Sequence, residues 1–129
     1  MSVDDTTPLI HSSENSPVQR IPEIDQFVDH FLGAMCDRSR RQILELLTIP
    51  GGTQPKEPLE WRSGDIARAL KLSPATISGH LKLLSRSGLV ASRRTGNVVY
   101  YFVQNYMLVR AFQDLLLSLH NEYNARETA

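Results

Sequence analysis

Apolar side chains begin to recur with helical spacing at Pro22, where Ile24, Phe27, Val28, Phe31 and Leu32 fall at i, i+3, i+4, i+7 and i+8. Residues 1 to about 20, rich in Ser, Thr, Asp and Pro, show no period and are expected to be a disordered tail, with His11 solvated in it. Asp37 is a suitable N-cap for a second helix over 38–47, basic in its front half, which buries Ile43, Leu44, Leu46 and Leu47. Residues 49–58, with Pro50-Gly-Gly and two further prolines, read as a loop. Residues 59–61 are expected as a short strand with Trp61 plugging the core. Ile66, Ala69 and Leu70 then mark a short amphipathic helix over 65–72.

A second helix follows at once. Ser73 can cap free N–H groups, Pro74 sits where no N–H is needed, and Ile77, Leu81 and Leu84 form one apolar stripe. Gly88 suits the C′ position, where positive φ costs glycine little. Two helices joined by so tight a turn have helix-turn-helix spacing. Residues 88–103 read as strand, basic tip and strand, turned by Gly96-Asn97, and such a hairpin beside a helix-turn-helix is a wing. A long final helix is expected from Asn105, with Leu108, Phe112, Leu115, Leu116, Leu119 and Tyr123 in a stripe. The expected fold is mainly α with a small β-hairpin, a winged helix-turn-helix. Its order is helix, helix, short strand, helix, helix, strand, strand, helix. It would occupy residues 21–124, with 125–129 a second tail.

Both terminal helices carry apolar residues beyond what one buried face needs; on the last, Met107, Ala111 and Leu117 widen the stripe. This pattern predicts a homodimer built from the two ends of the chain, with Phe27, Phe31, Phe112, Leu116 and Leu119 at its interface. A monomer with a well-covered last helix is the alternative.

The chain of 129 residues has a formal net charge of zero, which by itself argues against a polyanion partner. The distribution of that charge points the other way. Between residues 62 and 94 there are seven cations against one anion, Asp65, whereas residues 1–30 hold six acids and one Arg. A basic face of this kind is what phosphate binding requires. On the helix after Ser73, the side opposite the apolar stripe offers Thr76, Ser78 and Gly79, small enough to approach base edges in a major groove. Lys82, Arg86, Arg93 and Arg94 suit phosphates, with Asn97 at the wing tip and Arg40 and Arg41 able to reach flanking backbone. His80 fits either a phosphate contact or a role in holding its helix. The expected partner is a double-stranded DNA operator, read as a rough palindrome by two such helices one turn apart.

With one Cys, no internal disulfide framework can form. No run approaches the ~18 apolar residues of a membrane span, and the acidic N-terminus lacks a signal-peptide pattern, so a cytoplasmic protein without membrane contact is expected. No nucleophile–base pair, phosphate-cradling glycine loop or close acid pair argues for an enzyme.

The chain resembles the ArsR-type winged-helix repressors from about residue 22 to 123. The likeness lies in Asp37-Arg-Ser-Arg-Arg-Gln-Ile-Leu-Glu-Leu-Leu, in Ser78-x-His80-Leu81-Lys82 followed by Gly88-Leu89-Val90, and in the Arg93-Arg94 wing. What the resemblance implies is a homodimeric transcription regulator, usually a repressor acting near its own promoter. Metal sensing, for which the family is known, does not carry over. Arg62 and Gly64 stand where the arsenical and lead sensors have a Cys-x-Cys pair. The zinc-sensor pattern on the last helix fails as well, since Asp114 is followed two places on by Leu116 and His120 three places on by Tyr123. No cofactor or metal site is therefore expected, and no effector is named. Cys36 is expected as a small buried hydrophobe. Two other readings stay open: a metal- or redox-responsive repressor using Cys36, and a winged-helix module for protein–protein contact.

Overall fold

Eight elements follow one another in the computed structural model, which describes residues 19–48 and 59–128. They are α1 (Pro22–Met35), α2 (Arg38–Leu46), β1 (Trp61–Arg62), α3 (Ser63–Leu70), α4 (Pro74–Arg86), β2 (Val90–Thr95), β3 (Val98–Val103) and α5 (Tyr106–Thr128). The expected 49–58 loop, His11 and nearly all of the expected N-terminal tail lie outside the described residues. The chain divides between His30 and Phe31 into two units, a boundary inside α1 and not at its start.

In the first unit, Ile21, Ile24, Phe27 and Val28 are all exposed. Of the apolar face expected on this helix, Ile24, Phe27 and Val28 stand in solvent.

The second unit is organised around Ile43, Leu44, Leu47, Ile66, Ile77, Leu81, Leu84, Leu89, Val90 and Val109, each at most 2% exposed. Local signals set the boundaries of its helices. The Asp37 carboxylate accepts the Arg40 N–H at 3.0 Å and starts α2. The Ser73 hydroxyl accepts the Thr76 N–H at 3.1 Å and starts α4, with Pro74 in the first turn. Helices α3 and α4 end alike, in Schellman turns. Leu72 N–H donates to Ala67 O, and Leu89 N–H to Leu84 O, both at 3.1 Å. The left-handed residue in the second turn is Gly88, with φ 78°; in the first it is Lys71, with φ 58°.

The sheet order is β1-β3-β2, antiparallel throughout. Gly96 takes φ 63° while Asn97 does not turn positive, as in a type II′ hairpin turn. In register, Trp61 faces Tyr101 and Val90 faces Val103, and these four pack on the core. Arg62 and Arg93 both face Tyr100 from opposite sides, on the outer surface of the sheet.

Several expectations shift. Strand β1 is Trp61–Arg62, later than 59–61, and Trp61 is only half-buried against the core. Helix α3 begins at Ser63 and buries Ile66 and Ala67, while Ala69 faces solvent, because the core contacts the i, i+1, i+4 side of this short helix. Leu46 is half-buried. Asn105 caps α5 without joining it, its side chain accepting Leu108 N–H at 3.0 Å. That helix runs on to Thr128 where a tail was expected from residue 125. No helix breaker intervenes, and Arg126 pairs with Glu122 at 2.9 Å across one turn. Cys36, expected inside, is exposed. It lies in the short link after α1, between the buried Met35 and the capping Asp37.

Candidate nucleic-acid interface

Helix α4 has two different sides. Ile77, Leu81 and Leu84 are completely or almost completely buried, and this stripe alone is worth several kcal/mol at about 1.5–3 kcal/mol per aliphatic side chain. The opposite side exposes Thr76, Ser78, Gly79, Lys82 and Arg86. A Cβ at Gly79 would meet nothing within 4 Å, so glycine here clears the surface and is not demanded by internal packing. Thr76 is partly committed, since its hydroxyl accepts from the Ser73 hydroxyl at 2.8 Å.

Ion pairing sorts the basic residues into two groups. Asp65 takes both Arg62, at 3.2 Å, and Arg68; these contacts, Arg62 foremost, hold its carboxyl below the usual range. Arg93 is gripped by Glu60 through two bonds, Nε to Oε2 at 3.0 Å and Nη2 to Oε1 at 2.7 Å. It also lies 5.0 Å over the Tyr100 ring and bonds the Thr95 hydroxyl. The same hydrogen bonds from Arg93 hold the Glu60 carboxyl below its usual range. By contrast Lys71, Lys82, Arg86 and Arg94 are exposed and make no ion pair or side-chain hydrogen bond among the described residues.

The two wing arginines, adjacent in sequence, are therefore separated. Neighbours on a strand point to opposite faces. Arg93 shares the outer face with Tyr100, while Arg94, opposite Val99, lies on the side of Tyr101 and the core, the side where α4 packs. Asn97 is exposed in the turn.

Arg40 and Arg41 are turned inward, onto the protein's own backbone. Arg40 donates from Nε to Ala34 O at 2.6 Å and from Nη2 to Gly33 O at 3.2 Å; Arg41 donates to Met35 O at 2.8 Å. These are carbonyls of the last turn of α1, which have no partner within their own helix. Both guanidinium groups thus cap α1, an arrangement that sequence position does not distinguish from a surface role. His80 is 17% exposed at its side chain, with Nδ1 3.4 Å from Arg40 Nη1 and Nε2 4.0 Å from Asp37 Oδ1. The Asp37 carboxyl is held below its usual range chiefly by the Arg40 N–H bond; burial opposes this, and the charge of Arg40 adds to it, as does that of His80 whenever the ring is protonated.

Of the residues expected at a dimer surface, Phe27 and Leu119 are exposed, together with Leu32, Met107, Leu115, Leu117 and Tyr123. Phe31 and Phe112 instead pack partly against the chain's own core, and Leu116 is half-buried. Among the described residues no three of His, Cys, Asp and Glu gather closely enough to hold a metal ion. None of the described helices is long and apolar enough to cross a membrane.

Two further residues gain a place that the sequence pattern does not single out. Lys71 is one of seven cations in its stretch, yet it closes α3 directly before the Leu72-Ser73-Pro74 turn. Glu60 lies just outside that basic stretch, and its bond to Arg93 joins residues 33 apart.

Comparison with known proteins agrees with this geometry. The sequence family described as a helix-turn-helix domain matches residues 35–93. A transcriptional repressor of Bacillus subtilis, SdpR, is 33% identical over 75 residues, covering 58% of this chain and 73% of that protein. The crystal structure of a transcriptional regulator, HlyU from Vibrio vulnificus, is 32% identical, covers 75% of this chain and 91% of its own, and superposes with a TM-score of 0.56. The homodimeric winged helix-turn-helix DNA-binding domain of Mb0332 from Mycobacterium bovis, described as a possible ArsR-family transcriptional regulator, is 26% identical, covers 87% of this chain and 94% of its own, and superposes with a TM-score of 0.65. Fold, basic helix face and these likenesses together define a winged helix-turn-helix, DNA-binding transcriptional regulator. Within that class, the chain belongs to the ArsR-type family.

Proposed function

We propose that the protein is a homodimeric repressor, acting in the cytoplasm without catalysis or a bound metal, that reads a roughly palindromic operator with α4 and the wing. The observation that carries this reading is the two-sided α4. One side is locked into the core, and the other is small near its start and cationic further along, with those cations left unpaired among the described residues. Thr76, Ser78 and Gly79 approach base edges, which small residues at the front of a recognition helix permit. Lys71, Lys82, Arg86 and Arg94 neutralise phosphates, with Asn97 beside the backbone at the wing tip. Arg93, Arg40 and Arg41 are struts held by the protein's own groups and not DNA contacts.

The dimer reading is supported by the apolar residues that α1 and α5 each leave in solvent, Phe27 at 62% and Leu119 at 55% exposure among them. It is supported too by the homodimeric relative from Mycobacterium bovis. A second copy covering these helices would place two α4 helices on successive half-sites.

The test is a titration of the DNA immediately upstream of the protein's own gene, at two salt concentrations, with zinc and with chelator, alongside light scattering. Expected are a dimer and tight, salt-sensitive, site-preferring binding indifferent to both additions. Release by zinc would overturn the metal-free reading. Failure to bind any duplex selected from a random pool would overturn DNA recognition itself.

A further inference from the structure

We infer that His80 is a positioning residue. Through Arg40 it sets the rotation of α4 against the end of α1, and it does not touch DNA. This rests on the reading of α4 as the DNA-facing helix, and deepens it. The apolar stripe Ile77, Leu81 and Leu84 holds α4 on the core, but apolar burial is non-directional and leaves rotation about the helix axis weakly determined. A hydrogen bond is directional. Among the described residues, the one side chain on α4 that bonds to another helix is His80, whose Nδ1 lies 3.4 Å from Arg40 Nη1.

Arg40 is itself immobilised. Its planar guanidinium donates to Ala34 O at 2.6 Å and to Gly33 O at 3.2 Å, and its backbone N–H donates to Asp37 at 3.0 Å. A guanidinium only donates, so His80 Nδ1 must accept and the ring proton must sit on Nε2. That nitrogen is the one 4.0 Å from the Asp37 carboxylate, which favours the same tautomer. Two α1 carbonyls and the middle of α4 are thus joined through one planar group, on a residue whose own backbone N–H is held by the α2 cap. With only 17% of its side chain exposed, His80 is enclosed on the flank of the buried stripe and is not presented beside Lys82. Base readout tolerates misplacement of only about 0.5 Å, so a lock on rotation governs specificity more than overall attraction.

The experiment compares wild type, His80→Leu, His80→Asn and Lys82→Ala in the full chain. Each is titrated at several salt concentrations with the duplex the wild type selects from a random pool and with a scrambled duplex of equal length. For His80→Leu we expect the selected-to-scrambled affinity ratio to fall about tenfold, as for loss of a hydrogen bond to a charged group, with an unchanged salt slope. His80→Asn, which keeps an acceptor close to the Nδ1 position, should recover most of the ratio. A lower salt slope with the ratio intact would make His80 a phosphate contact and overturn the inference; so would an Asn variant no better than Leu. Lys82→Ala separates this from the larger reading, because an unchanged salt slope there would mean that α4 does not lie on DNA. The lock is then judged alone by a urea-denaturation cycle of His80→Leu with Arg40→Met, where additive effects would refute the contact.

Discussion

The sharpest consequence of the wing's register concerns two adjacent arginines. Arg94 projects from the hairpin on the side where α4 packs, and no acid among the described residues holds it; Arg93 projects from the other side, into the Glu60 carboxylate and over Tyr100. If Arg94 neutralises one phosphate, Arg94→Ala removes one released counterion and lowers the slope of log affinity against log salt by about 0.9. Over a rise from 50 to 200 mM salt, the advantage of wild type over Arg94→Ala should shrink roughly threefold. Arg93→Ala removes a wing strut. It should weaken binding by a factor that stays constant with salt and that does not depend on the DNA sequence. Fluorescence anisotropy of a labelled duplex over at least four salt concentrations resolves the two behaviours. A slope reduced by Arg93→Ala and untouched by Arg94→Ala would refute this assignment, because it would require the arginine on the outer face to leave Glu60 and reach the backbone.

Other consequences are independent of DNA. Lys71→Gly relieves a left-handed side chain and should stabilise the fold by about 0.5–1 kcal/mol in urea, while Gly88→Ala in the matching turn should cost about 1 kcal/mol despite the open space around it. If Lys71 also contacts phosphate, the same Lys71→Gly variant binds DNA with a slope lower by about 0.9, so stability and affinity move in opposite directions. Leu81→Ala, at a site 1% exposed, should cost roughly 2–5 kcal/mol and abolish binding as the α4 stripe loses its middle. Asp37 is held below the usual carboxylate range in the fold, so its contribution is fully present at neutral pH and is lost as pH falls below about 4 toward the folded value. Asp37→Asn, which keeps a capping oxygen without the charge, should lower stability at neutral pH toward the level the wild type reaches in acid and flatten the acid limb of the denaturation curve.

What is legible in the chain and what is not divides by distance along it. The Ser73 and Asp37 caps, the Ile77-Leu81-Leu84 stripe, the Gly88 terminus and the Gly96-Asn97 turn each depend on residues within a few positions of one another, and each is where its residues predict. The features that sequence alone misplaces depend on partners far off. Arg93 looks like a free cation because its acid is 33 residues upstream; His80 fits two roles because its partner is 40 residues upstream. Strand alternation alone, applied to Arg93-Arg94, already forbids both from facing one side. The deeper reason is that a charge count cannot measure a binding face. Seven cations lie between residues 62 and 94, yet Arg62 and Arg68 share Asp65, and Arg93 belongs to Glu60. The four left over, Lys71, Lys82, Arg86 and Arg94, are distributed over the turn, α4 and the inner side of the wing. A phosphate must compete with any acid already in place, and at these four positions no acid among the described residues competes. In the proposed reading, the DNA-facing surface is therefore defined by which of its bases the fold leaves unpaired, a property that only the folded chain possesses.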